Sequence, residues 1–580
     1  MRPLAVRCAL TAALTLLLAA CQSQESASTA HNDSPAPPAR PAKQAAVVPT
    51  ADGHYSGDIN AENFAARLKK VSSDEFEGRK PGTLGERMTT AWIKDQFRQI
   101  GLKPGNQGKW AQTVPMVETT LLDPDQVALE VRAASGKETF AYRKDMIIGS
   151  LDASAVVDIK DSDIVFVGYG VDAPDYQWND YAGLDVKGKT VVVLVNDPGW
   201  GNHDDTLFKG RALTYYGRWT YKFEEAARKG AAACLIVHDT AGAGYPWDVV
   251  INSWSGAQDS LPPNEDPAPR LSAAGWLTAE AAERLFAKAG KNFTALKKSA
   301  DLRGFKPTDL GATLSLNFKN TIAHSSSENV LGYLPGSTRA DEVVVYSAHW
   351  DHFGRDPNLK GDQVYNGAID NGTGVAGLIE IAEAFTHQNP PPQRSVLFLA
   401  DTLEEAGLLG SRYYVTHPAF PLDKTVADIN MDALPIMGPA RDIAVISWGQ
   451  SQLDDYIKEA AAAEGRTVVP DDAADKGFFF RSDQLNFAKL GIPVLYARSG
   501  LTLVDGGEQA GRVAYVDYTN NRYHKPSDNY NPDWDFRGVI DDLKAFHAVG
   551  RKLAEETTFP EWKPAADFHR PTAEVGKSGR

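Results

Sequence analysis

Residues 342–351 read Glu-Val-Val-Val-Tyr-Ser-Ala-His-Trp-Asp, an apolar run that ends in polar side chains. An apolar run without alternation predicts a strand that is buried on both faces, as in a parallel sheet between helices. Helical stretches such as 374–385 and 452–464 separate further runs of this kind. We therefore predict an α/β fold with a mostly parallel sheet flanked by helices. The predicted strands are 342–347, 395–400, 426–431, 442–447 and 493–497.

Polar residues stand where several of these strands end. His349 follows the first strand, Glu404 and Glu405 follow the second, and Asp432 ends the third. Sites in open α/β sheets gather outside the carboxyl ends of the strands, so we expect these side chains to meet at one edge. Each group also has a structural interpretation when taken alone. A strand-end histidine can be solvent-exposed, adjacent glutamates can form a solvated face, and Asp370-Asn-Gly-Thr-Gly374 can be a turn with a helix cap.

The polar groups occur together in five motifs. The order of these motifs and the glycines beside them resemble those of a known protein family. The sequence resembles the co-catalytic zinc aminopeptidases of peptidase family M28, over most of 55–125 and nearly all of 329–555. The resemblance implies the zinc exopeptidase version of the α/β fold, which is phosphorylase/hydrolase-like. The motifs are His349-Trp-Asp351, Gly367-Ala-Ile-Asp-Asn-Gly-Thr-Gly374, Glu404-Glu-Ala-Gly-Leu-Leu-Gly-Ser411, Asn430-Met-Asp432 and Tyr523-His-Lys-Pro-Ser-Asp528.

The resemblance also implies two Zn²⁺ ions as cofactors, with one carboxylate between them. Asp370 would bridge the two ions. His349 and Asp432 would complete one site, and Glu405 and His524 would complete the other. Carboxylates and neutral imidazoles are ligands that suit zinc, although manganese or cobalt could occupy the same oxygen-rich set.

Other roles follow from matching positions of the family. Glu404 would be the general base, and Tyr523 would either steady the oxyanion or pack against its neighbours. Asp351 would be a supporting partner that orients His349. Arg481 would reach the substrate and Asp483 would support the metal ligands, unless either residue belongs to a structural ion pair. His352 matches the family text without a ligand role.

These roles predict a metal-dependent exopeptidase that hydrolyses N-terminal residues from peptides with a water shared by two zinc ions. The alternatives are a di-zinc carboxypeptidase of the same fold, glutaminyl cyclisation on a related scaffold, and a non-catalytic binding protein. The last predicts gaps in the ligand set, and the sequence has none. Gly-x-Ser-x-Gly and His-Glu-x-x-His motifs, which would indicate other hydrolases, are absent from the sequence.

The chain is long enough for several domains at 580 residues. Residues 126–318 change to short strands and Gly-rich turns, and they resemble the protease-associated (PA) domain inserted in related peptidases. Tyr169-Gly170, the stretch 181–189 and the strand around Cys234 carry that resemblance, and we interpret Cys234 as a buried, inert thiol. The predicted di-zinc peptidase domain comprises 55–125 and 319–560, and a polar tail at 561–580 is expected to fray.

The N-terminus predicts export. Residues 1–21 have early positive charges, a short apolar core and a Leu-Ala-Ala-Cys21 ending that resembles the bacterial lipobox. The alternative is an ordinary signal peptide that is cleaved near Ala20. Residues 22–54 have the composition of a flexible tether. We expect a lipoprotein that is anchored only through Cys21, at the outer membrane facing the periplasm, or a secreted protein. The net charge of −15 argues against nucleic acid as a partner. The resemblance implies that the partners are peptide substrates.

Overall fold

The computed structural model of this chain describes residues 58–202, 204, 206–266 and 268–570. The predicted signal peptide with Cys21, the tether at 22–54 and the last part of the tail, 571–580, lie outside the described residues. Within the described part of the chain, no helix combines the length and the apolar character that crossing a membrane requires.

The predicted parallel sheet is present, and its central strands follow the apolar runs of the sequence. Arg339–His349 pairs in parallel with Arg394–Asp401 on one side and with Thr425–Asn430 on the other. Thr425–Asn430 pairs in parallel with Val494–Ser499. Residues 330–334 add an antiparallel strand beside Arg394–Asp401. The α/β prediction is therefore confirmed, with a sheet that is parallel at its centre.

The strand predicted at 442–447 is shorter than expected, and it runs antiparallel to the strand Val494–Ser499. Asp442–Val445 pairs antiparallel with Val494–Ser499 and parallel with Thr467–Pro470. The chain turns at 446–449, whereas the sequence predicted that the strand would continue to 447. The sheet is therefore mostly parallel and becomes mixed at this margin.

Alternate residues of the central strand pack against different layers of helices. Val344 and Tyr346 lie in one hydrophobic cluster, whereas Val343 and Val345 lie in another. Successive strand residues point to opposite faces, so both faces need an apolar cover and no polar position is left. Helices Ala61–Val71, Leu84–Gln99, Thr373–Thr386, Leu453–Ala463 and Arg537–Glu555 cover the first face, and Leu409–Thr416 and Gln484–Lys489 cover the second.

A third hydrophobic cluster lies within residues 127–318, with Val127 and Phe318 as its first and last buried members. At its centre, Ala233–Val237 pairs in parallel with Thr190–Leu194 and with Ala273–Leu277. Cys234 lies on this central strand, and burial raises the pKa of its thiol. A buried thiol that stays protonated is a poor nucleophile, which agrees with its interpretation as an inert residue.

One long strand, Thr308–Leu334, belongs to both parts of the molecule. Its first half pairs with Ala128–Ala133 and with Val156–Phe166. Its second half pairs with Ala111–Leu121 and reaches the central sheet. The chain therefore leaves the central sheet after Leu121 and returns to it along this strand.

The expected fraying after Pro560 is wrong for residues 561–570. The Trp562 indole N–H donates to the Gly491 carbonyl over 2.8 Å, and the Arg570 guanidinium donates to the Thr425 carbonyl over 2.7 Å. The Phe568 ring lies 5.5 Å from the Tyr215 ring. The polar composition misled the prediction because these few aromatic and basic side chains find partners on the folded body.

The remaining elements connect these layers. The other strands are Lys103–Pro104, Gly136–Ala141, Met146–Gly149, Asp172–Ala173, Trp178–Asn179, Ala257–Ser260, Gly354–Arg355 and Val364–Tyr365, and the other α-helices are Pro198–Asn202, Trp219–Arg228, Thr240–Ala243, Trp247–Trp254, Ala279–Lys288, Phe293–Ala300 and Gly507–Asn521.

Candidate metal centre

The five predicted ligands meet at the carboxyl edge of the parallel strands. His349 is the last residue of its strand, and Asp432 comes two residues after the strand Thr425–Asn430. Glu405 lies in the turn after the parallel strand Arg394–Asp401. Asp370 and His524 come from a bend and a loop, before and after helices. The parallel strands bring to one edge residues that lie far apart in the chain.

One half of the centre is formed by His349, Asp370 and Asp432. The His349 Nε2 lies 3.4 Å from the Asp370 Oδ1 and 3.3 Å from the Asp432 Oδ1. These three residues offer ligand atoms that lie within 4.8 Å of one another. One nitrogen and two carboxylate oxygens around one point form a ligand set that suits a zinc-type cation.

The other half uses the second oxygen of Asp370. The His524 Nε2 lies 3.1 Å from the Asp370 Oδ2 and 3.4 Å from the Glu405 Oε2. The two oxygens of Asp370 therefore face different histidines. This is the arrangement that a carboxylate bridging two cations requires, and the bridging role of Asp370 stays a prediction.

The charges of the centre also fit cations. Asp370, Glu405 and Asp432 make ion pairs only with histidines, and neither lysine nor arginine pairs with them among the described residues. Burial lowers the pKa of His349, but the charges of Glu404 and Asp432 and the contacts with Asp370 and Asp432 outweigh this effect, so the net shift is upward. Closely spaced carboxylates repel each other unless protons or metal ions offset their charge. The donor set therefore fits two divalent cations.

Hydrogen bonds to the backbone hold Asp370 in place. The Asp528 carboxylate accepts the N–H groups of Ile369 and Asp370 over 3.0 and 3.1 Å. Burial raises the pKa of Asp528 to about 7. The sequence placed Asp528 in a motif but assigned it no role. Its contact with Asp370 spans 158 positions of the chain, so local spacing could not reveal it.

Arg79 is a second supporting residue that the sequence reasoning missed. Its fully buried guanidinium donates to the carbonyls of Trp350, Asn366 and Gly367. These carbonyls belong to the loops that carry His349 and Asp370. Burial lowers the pKa of Arg79 to about 10 even though Asp528 and Asp370 are near. The backbone of this segment is unusual, because Glu77, Gly78 and Arg79 all have positive φ, and the glycine is the part of this feature that the sequence displays.

Asn371 ties the Asp370 bend to the Asp432 loop. Its Oδ1 accepts the N–H of Gly374 over 2.9 Å and that of Ala433 over 3.1 Å. Its Nδ2 donates to the Met431 carbonyl over 3.0 Å. A single amide side chain thus links the residues next to two ligands, and the glycine at 374 leaves room for it.

Asp351 lies beside His349, where an orienting carboxylate was predicted. The His349 Nδ1 is 3.2 Å from the Asp351 carbonyl oxygen and 3.8 Å from its Oδ1. The Asp351 Oδ1 accepts the Glu404 N–H over 3.1 Å. Burial raises the pKa of Asp351 to about 7, although His349 acts in the opposite direction. The nearest contact to the ring nitrogen is therefore the carbonyl rather than the carboxylate.

Glu404 and Glu405 separate as the sequence predicted. The Glu405 oxygens contact two histidines, whereas the Glu404 Oε2 lies 4.0 Å from the His349 Nε2. Burial, together with the charges of Asp432 and Glu405, raises the pKa of Glu404 well above its usual range. Glu404 is thus a carboxyl group beside the candidate ligands that none of the histidines holds closely.

His352 contacts a candidate ligand, although the sequence analysis gave it no ligand role. Its Nδ1 lies 2.7 Å from the Glu405 Oε1, and its Nε2 is buried without a hydrogen-bond partner. His352, Asp370 and Glu405 offer ligand atoms within 4.8 Å of one another. Two imidazoles, those of His352 and His524, therefore flank Glu405. The His-Trp-Asp-His spacing was visible in the sequence, but the fold had to place the second histidine.

Three further residues that the sequence singled out lie around the centre, and each has a different contact. They are Tyr523, Arg481 and Asp483. The Tyr523 ring stacks on the His524 ring at 3.8 Å. The Arg481 guanidinium lies 5.3 Å from the Phe478 ring. Among the described residues, neither Arg481 nor Asp483 makes an ion pair, which speaks against the alternative of a structural ion pair. Asp483 is buried and accepts a hydrogen bond from the Ser411 hydroxyl.

Two further buried carboxyl groups lie behind the centre and were not singled out. Asp401 ends its strand with both carboxyl oxygens buried and next to the carboxyl group of Asp483. Asp428 accepts the Ser347 hydroxyl over 2.8 Å. Burial raises the pKa of Asp401 and Asp428 well above their usual range, and the charge of Asp483 adds to this effect. Asp428 lies inside the predicted strand 426–431 and Asp401 directly follows the predicted strand 395–400, where the sequence analysis expected only packing.

Comparison with known proteins supports the assignment of this segment. Residues 329–546 match the model of Peptidase family M28. Over 137 residues, the chain is 30% identical to the mouse aminopeptidase NAALADL1, covering 22% of this chain and 17% of the relative. Over 123 residues, it is 30% identical to the aminopeptidase YwaD of Bacillus subtilis, covering 21% and 24%. Residues 329–546 are a domain of peptidase family M28.

Other similarities are less extensive or less close. The chain is 33% identical over 129 residues to a glutamate carboxypeptidase 2 homolog of Caenorhabditis elegans, covering 21% of this chain and 15% of the relative. The chain therefore spans less than a quarter of the length of these three curated relatives. A solved aminopeptidase from Aneurinibacillus sp. strain AM-1 aligns with a TM-score of 0.48 and 17% identity, covering 90% of this chain and all of that one.

Proposed function

We propose that the protein is a metal-dependent exopeptidase that removes N-terminal residues from peptides. The observation that carries the proposal is the position of Asp370, whose two oxygens face His349 on one side and His524 on the other. Asp432 and Glu405 stand beside these histidines. The M28 domain match supports peptide hydrolysis as the reaction.

Two zinc ions would be held by His349, Asp370 and Asp432 on one side and by Asp370, Glu405 and His524 on the other. When bound, they would supply Lewis acidity and lower the pKa of water toward neutrality. His352 would hold Glu405 through its Nδ1 in this arrangement. Asp351 and Asp528 would keep His349 and Asp370 in position.

Glu404 is the residue that we expect to move the proton. Its carboxylate would accept a proton from the attacking water and deliver it to the departing amine, as a general base and then a general acid. Its neighbour Glu405 is engaged with histidines, so Glu404 is the glutamate that can change its protonation during turnover. Tyr523 lies beside His524, where its hydroxyl would donate a hydrogen bond to the developing oxyanion.

A panel of peptides blocked at either end tests the proposal. Cleavage that is lost only with a blocked amino terminus would support aminopeptidase action. Cleavage that is lost only with a blocked carboxyl terminus would replace it with carboxypeptidase action. The second outcome has one observation in its favour, because the Arg481 guanidinium lies close enough to the site to interact with Glu404 and could receive a carboxylate.

Residues 126–318 are proposed to act as a PA-like lid that limits the length of the substrate. Support comes from contacts between this segment and the M28 domain, such as the Lys489–Glu224 ion pair at 3.0 Å. Joining Leu122 to Lys319 would remove the segment. Turnover of longer peptides should then rise relative to dipeptides, and an unchanged length preference would contradict the proposal.

Export as a lipoprotein anchored through Cys21 is also proposed, from the lipobox-like sequence. A Cys21→Ala variant should lose incorporation of labelled palmitate when it is expressed in a bacterial host. Equal labelling of this variant and of the unchanged protein would contradict the proposed anchor.

A further inference from the structure

The helix Gly507–Asn521 packs on the rest of the protein through one face. A methyl group at Gly511 would lie 2.1 Å from the Leu501 carbonyl oxygen, so the helix approaches the body closely at this residue. Gly511 is also the residue of this helix that is buried. The Tyr515 ring lies 5.1 Å from the Arg498 guanidinium of a central strand. Residues 511 and 515 are one turn apart, so they mark the inner face of the helix.

The opposite face of this helix carries two valines that point into solvent. Val513 is 65% exposed and Val516 is 52% exposed, and among the described residues Val513 is the most exposed of the large apolar side chains. Gln509 and Asn520 are exposed as well. A helix turns about 100° per residue, so these four residues fall within about 60° of one another and lie opposite Gly511. Valine is a weak helix former and gains no burial here, which indicates a face that a partner covers.

The outer face is complementary to itself. Three pairs of its residues share one midpoint, between positions 514 and 515, and they are Val513 with Val516, Gln509 with Asn520, and Arg512 with Asp517. A second copy of the helix can lie antiparallel to the first, with a twofold axis through that midpoint. Valine then lies opposite valine, amide opposite amide, and arginine opposite aspartate. Each pair occurs twice, because a twofold contact repeats every interaction.

The charges of the outer face favour this register over its neighbours. Arg512 contacts Glu508 and Asp472 within its own chain, yet its side chain is 55% exposed. Asp517 contacts Arg522, and its side chain is 46% exposed. Both charged groups therefore remain accessible to a second chain. An axis two residues nearer the start of the helix would place Glu508 opposite Asp517, and two like charges would oppose each other.

We propose that two copies of this chain form a symmetric dimer through the helix Gly507–Asn521, packed antiparallel on the same helix of the second copy. Val513 and Val516 form the apolar centre of the contact. Arg512 of each chain pairs with Asp517 of the other, on both sides of that centre. The proposed reaction plays no part in this inference, which rests on the sequence and exposure of one helix.

A lipid surface is a different partner for the same face, and the residue types disfavour it. Helices that lie in a membrane surface combine large apolar side chains with lysine and arginine. Here the apolar residues are two valines, and the charged residues beside them are Glu508, Arg512 and Asp517. A membrane would cover the valines but leave the opposite charges without matching partners. A second copy of the chain provides both kinds of contact.

Sedimentation velocity tests whether the chain associates with itself. The zinc-loaded full chain carries Cys21→Ala, which excludes association through a lipid, and is measured from about 1 to 200 µM. We expect a monomer–dimer equilibrium. Val513→Asp should raise the dissociation constant by about 10- to 100-fold, because it places an unpaired carboxylate in the contact. Val156→Asp, at an exposed valine of the inserted segment, is the matched control and should leave the constant unchanged.

Exchanged charges test the antiparallel register. Arg512→Glu places acidic groups opposite each other, and Asp517→Arg places basic groups opposite each other. Each variant alone should therefore dimerise about 10-fold more weakly than the unchanged protein. A mixture of the two variants has opposite charges at both pairs, so a heterodimer should form with about the affinity of the unchanged dimer. Misfolding cannot produce this recovery, because neither variant regains its original residue.

Three outcomes would overturn the proposed dimer. They are a monomer at every concentration, a dimer that Val513→Asp leaves unchanged, and a mixture that associates no better than either charge variant alone. Flotation with vesicles of phosphatidylethanolamine and phosphatidylglycerol tests the other partner. Vesicle binding by a monomeric chain, lost in Val513→Asp, would replace the second copy with a lipid surface.

Discussion

Glu404 and Glu405 are neighbours in the chain, yet their carboxyl groups have different surroundings. Glu405 contacts His352 and His524, whereas Glu404 approaches His349 only to 4.0 Å. Metal affinity should therefore depend on Glu405, and proton transfer should depend on Glu404. The two residues make a matched pair for mutagenesis because they share one turn and one side-chain type.

Glu404→Gln should lower kcat by about 10²- to 10⁴-fold and leave the zinc content near that of the unchanged protein. The amide keeps the shape of the side chain but cannot accept the proton. Elemental analysis and peptide kinetics check the two parts of this prediction. Glu405→Gln is the control and should lose zinc. Full activity of Glu404→Gln would remove Glu404 from the proposed reaction.

His547 provides a test that does not involve the metal centre. Its ring packs on Phe385 at 4.6 Å, and its Nε2 is buried without a hydrogen-bond partner. Burial lowers the pKa of His547 to about 4, and the charge of Arg551 adds to this effect. The unfolded chain binds a proton below its usual pKa of 6.5 while the folded chain does not. This residue therefore makes the protein less stable as pH falls from 6.5 toward 4.

His547→Gln should remove that part of the pH dependence, which is at most about 3 kcal/mol. Urea unfolding at pH 7.5 and pH 4.5 gives the loss of unfolding free energy between the two pH values, for the unchanged protein and for the variant. The difference between these two losses is the contribution of His547. The variant should lose less stability between the two pH values. His324→Gln, at an exposed position, is the control. An equal loss in the His547 variant and in the unchanged protein would contradict the assigned pKa.

At the scale of elements, the bend before the helix Thr373–Thr386 is the most constrained connection near the ligands. A methyl group at Gly374 would lie 2.3 Å from the Asn371 Oδ1 and 2.4 Å from the Met431 carbonyl oxygen. These are the atoms that join the Asp370 bend to the Asp432 loop. A larger residue at 374 must therefore move one of the two segments.

Gly374→Ala should lower the free energy of unfolding by about 1–3 kcal/mol and also weaken zinc binding. Overpacking explains the first effect, and displacement of Asp370 or Asp432 explains the second. Thermal unfolding and zinc titration with a competing chelator measure them. Gly149→Ala is a control, because a methyl group there meets nothing within 4 Å. Unchanged zinc affinity in Gly374→Ala would show that the bend can adjust without moving the ligands.

The central strands and the meeting of the candidate ligands were predictable from the sequence, whereas the supporting contacts were not. Apolar runs predicted the central strands, and motif order predicted that His349, Asp370, Glu405, Asp432 and His524 would meet, because parallel strands bring their carboxyl ends together. Supporting contacts were missed where they are long-range and leave no local pattern. Arg79 reaches a carbonyl 288 positions away, and Asp528 reaches an amide 158 positions away. Roles in catalysis stay predictions until the variants are measured.

At the scale of the whole molecule, residues 561–570 lie against the body across several elements. Trp562 contacts Gly491, and Arg570 contacts Thr425 at the start of a central strand. The Lys563 ammonium group pairs with Asp454 over 2.5 Å. This segment links the ends of strands and helices that are otherwise distant in the chain.

A chain that ends at Pro560 should therefore unfold several degrees below a chain that ends at Arg570. The contacts of Trp562, Lys563 and Arg570 are absent from the shorter form, and the elements they join lose this support. Differential scanning calorimetry compares the two forms, and zinc content controls for damage to the metal centre. Equal transition temperatures would show that these contacts contribute no net stability.

The long strand Thr308–Leu334 has a consequence for how the protein evolves. A domain joined by two free linkers can be exchanged or lost with little effect on its host. Here one continuous backbone hydrogen-bonds to both parts. An insertion or deletion of one residue in its middle would turn the side chains of one half to the wrong face, so changes of length should be tolerated only in pairs or outside the strand.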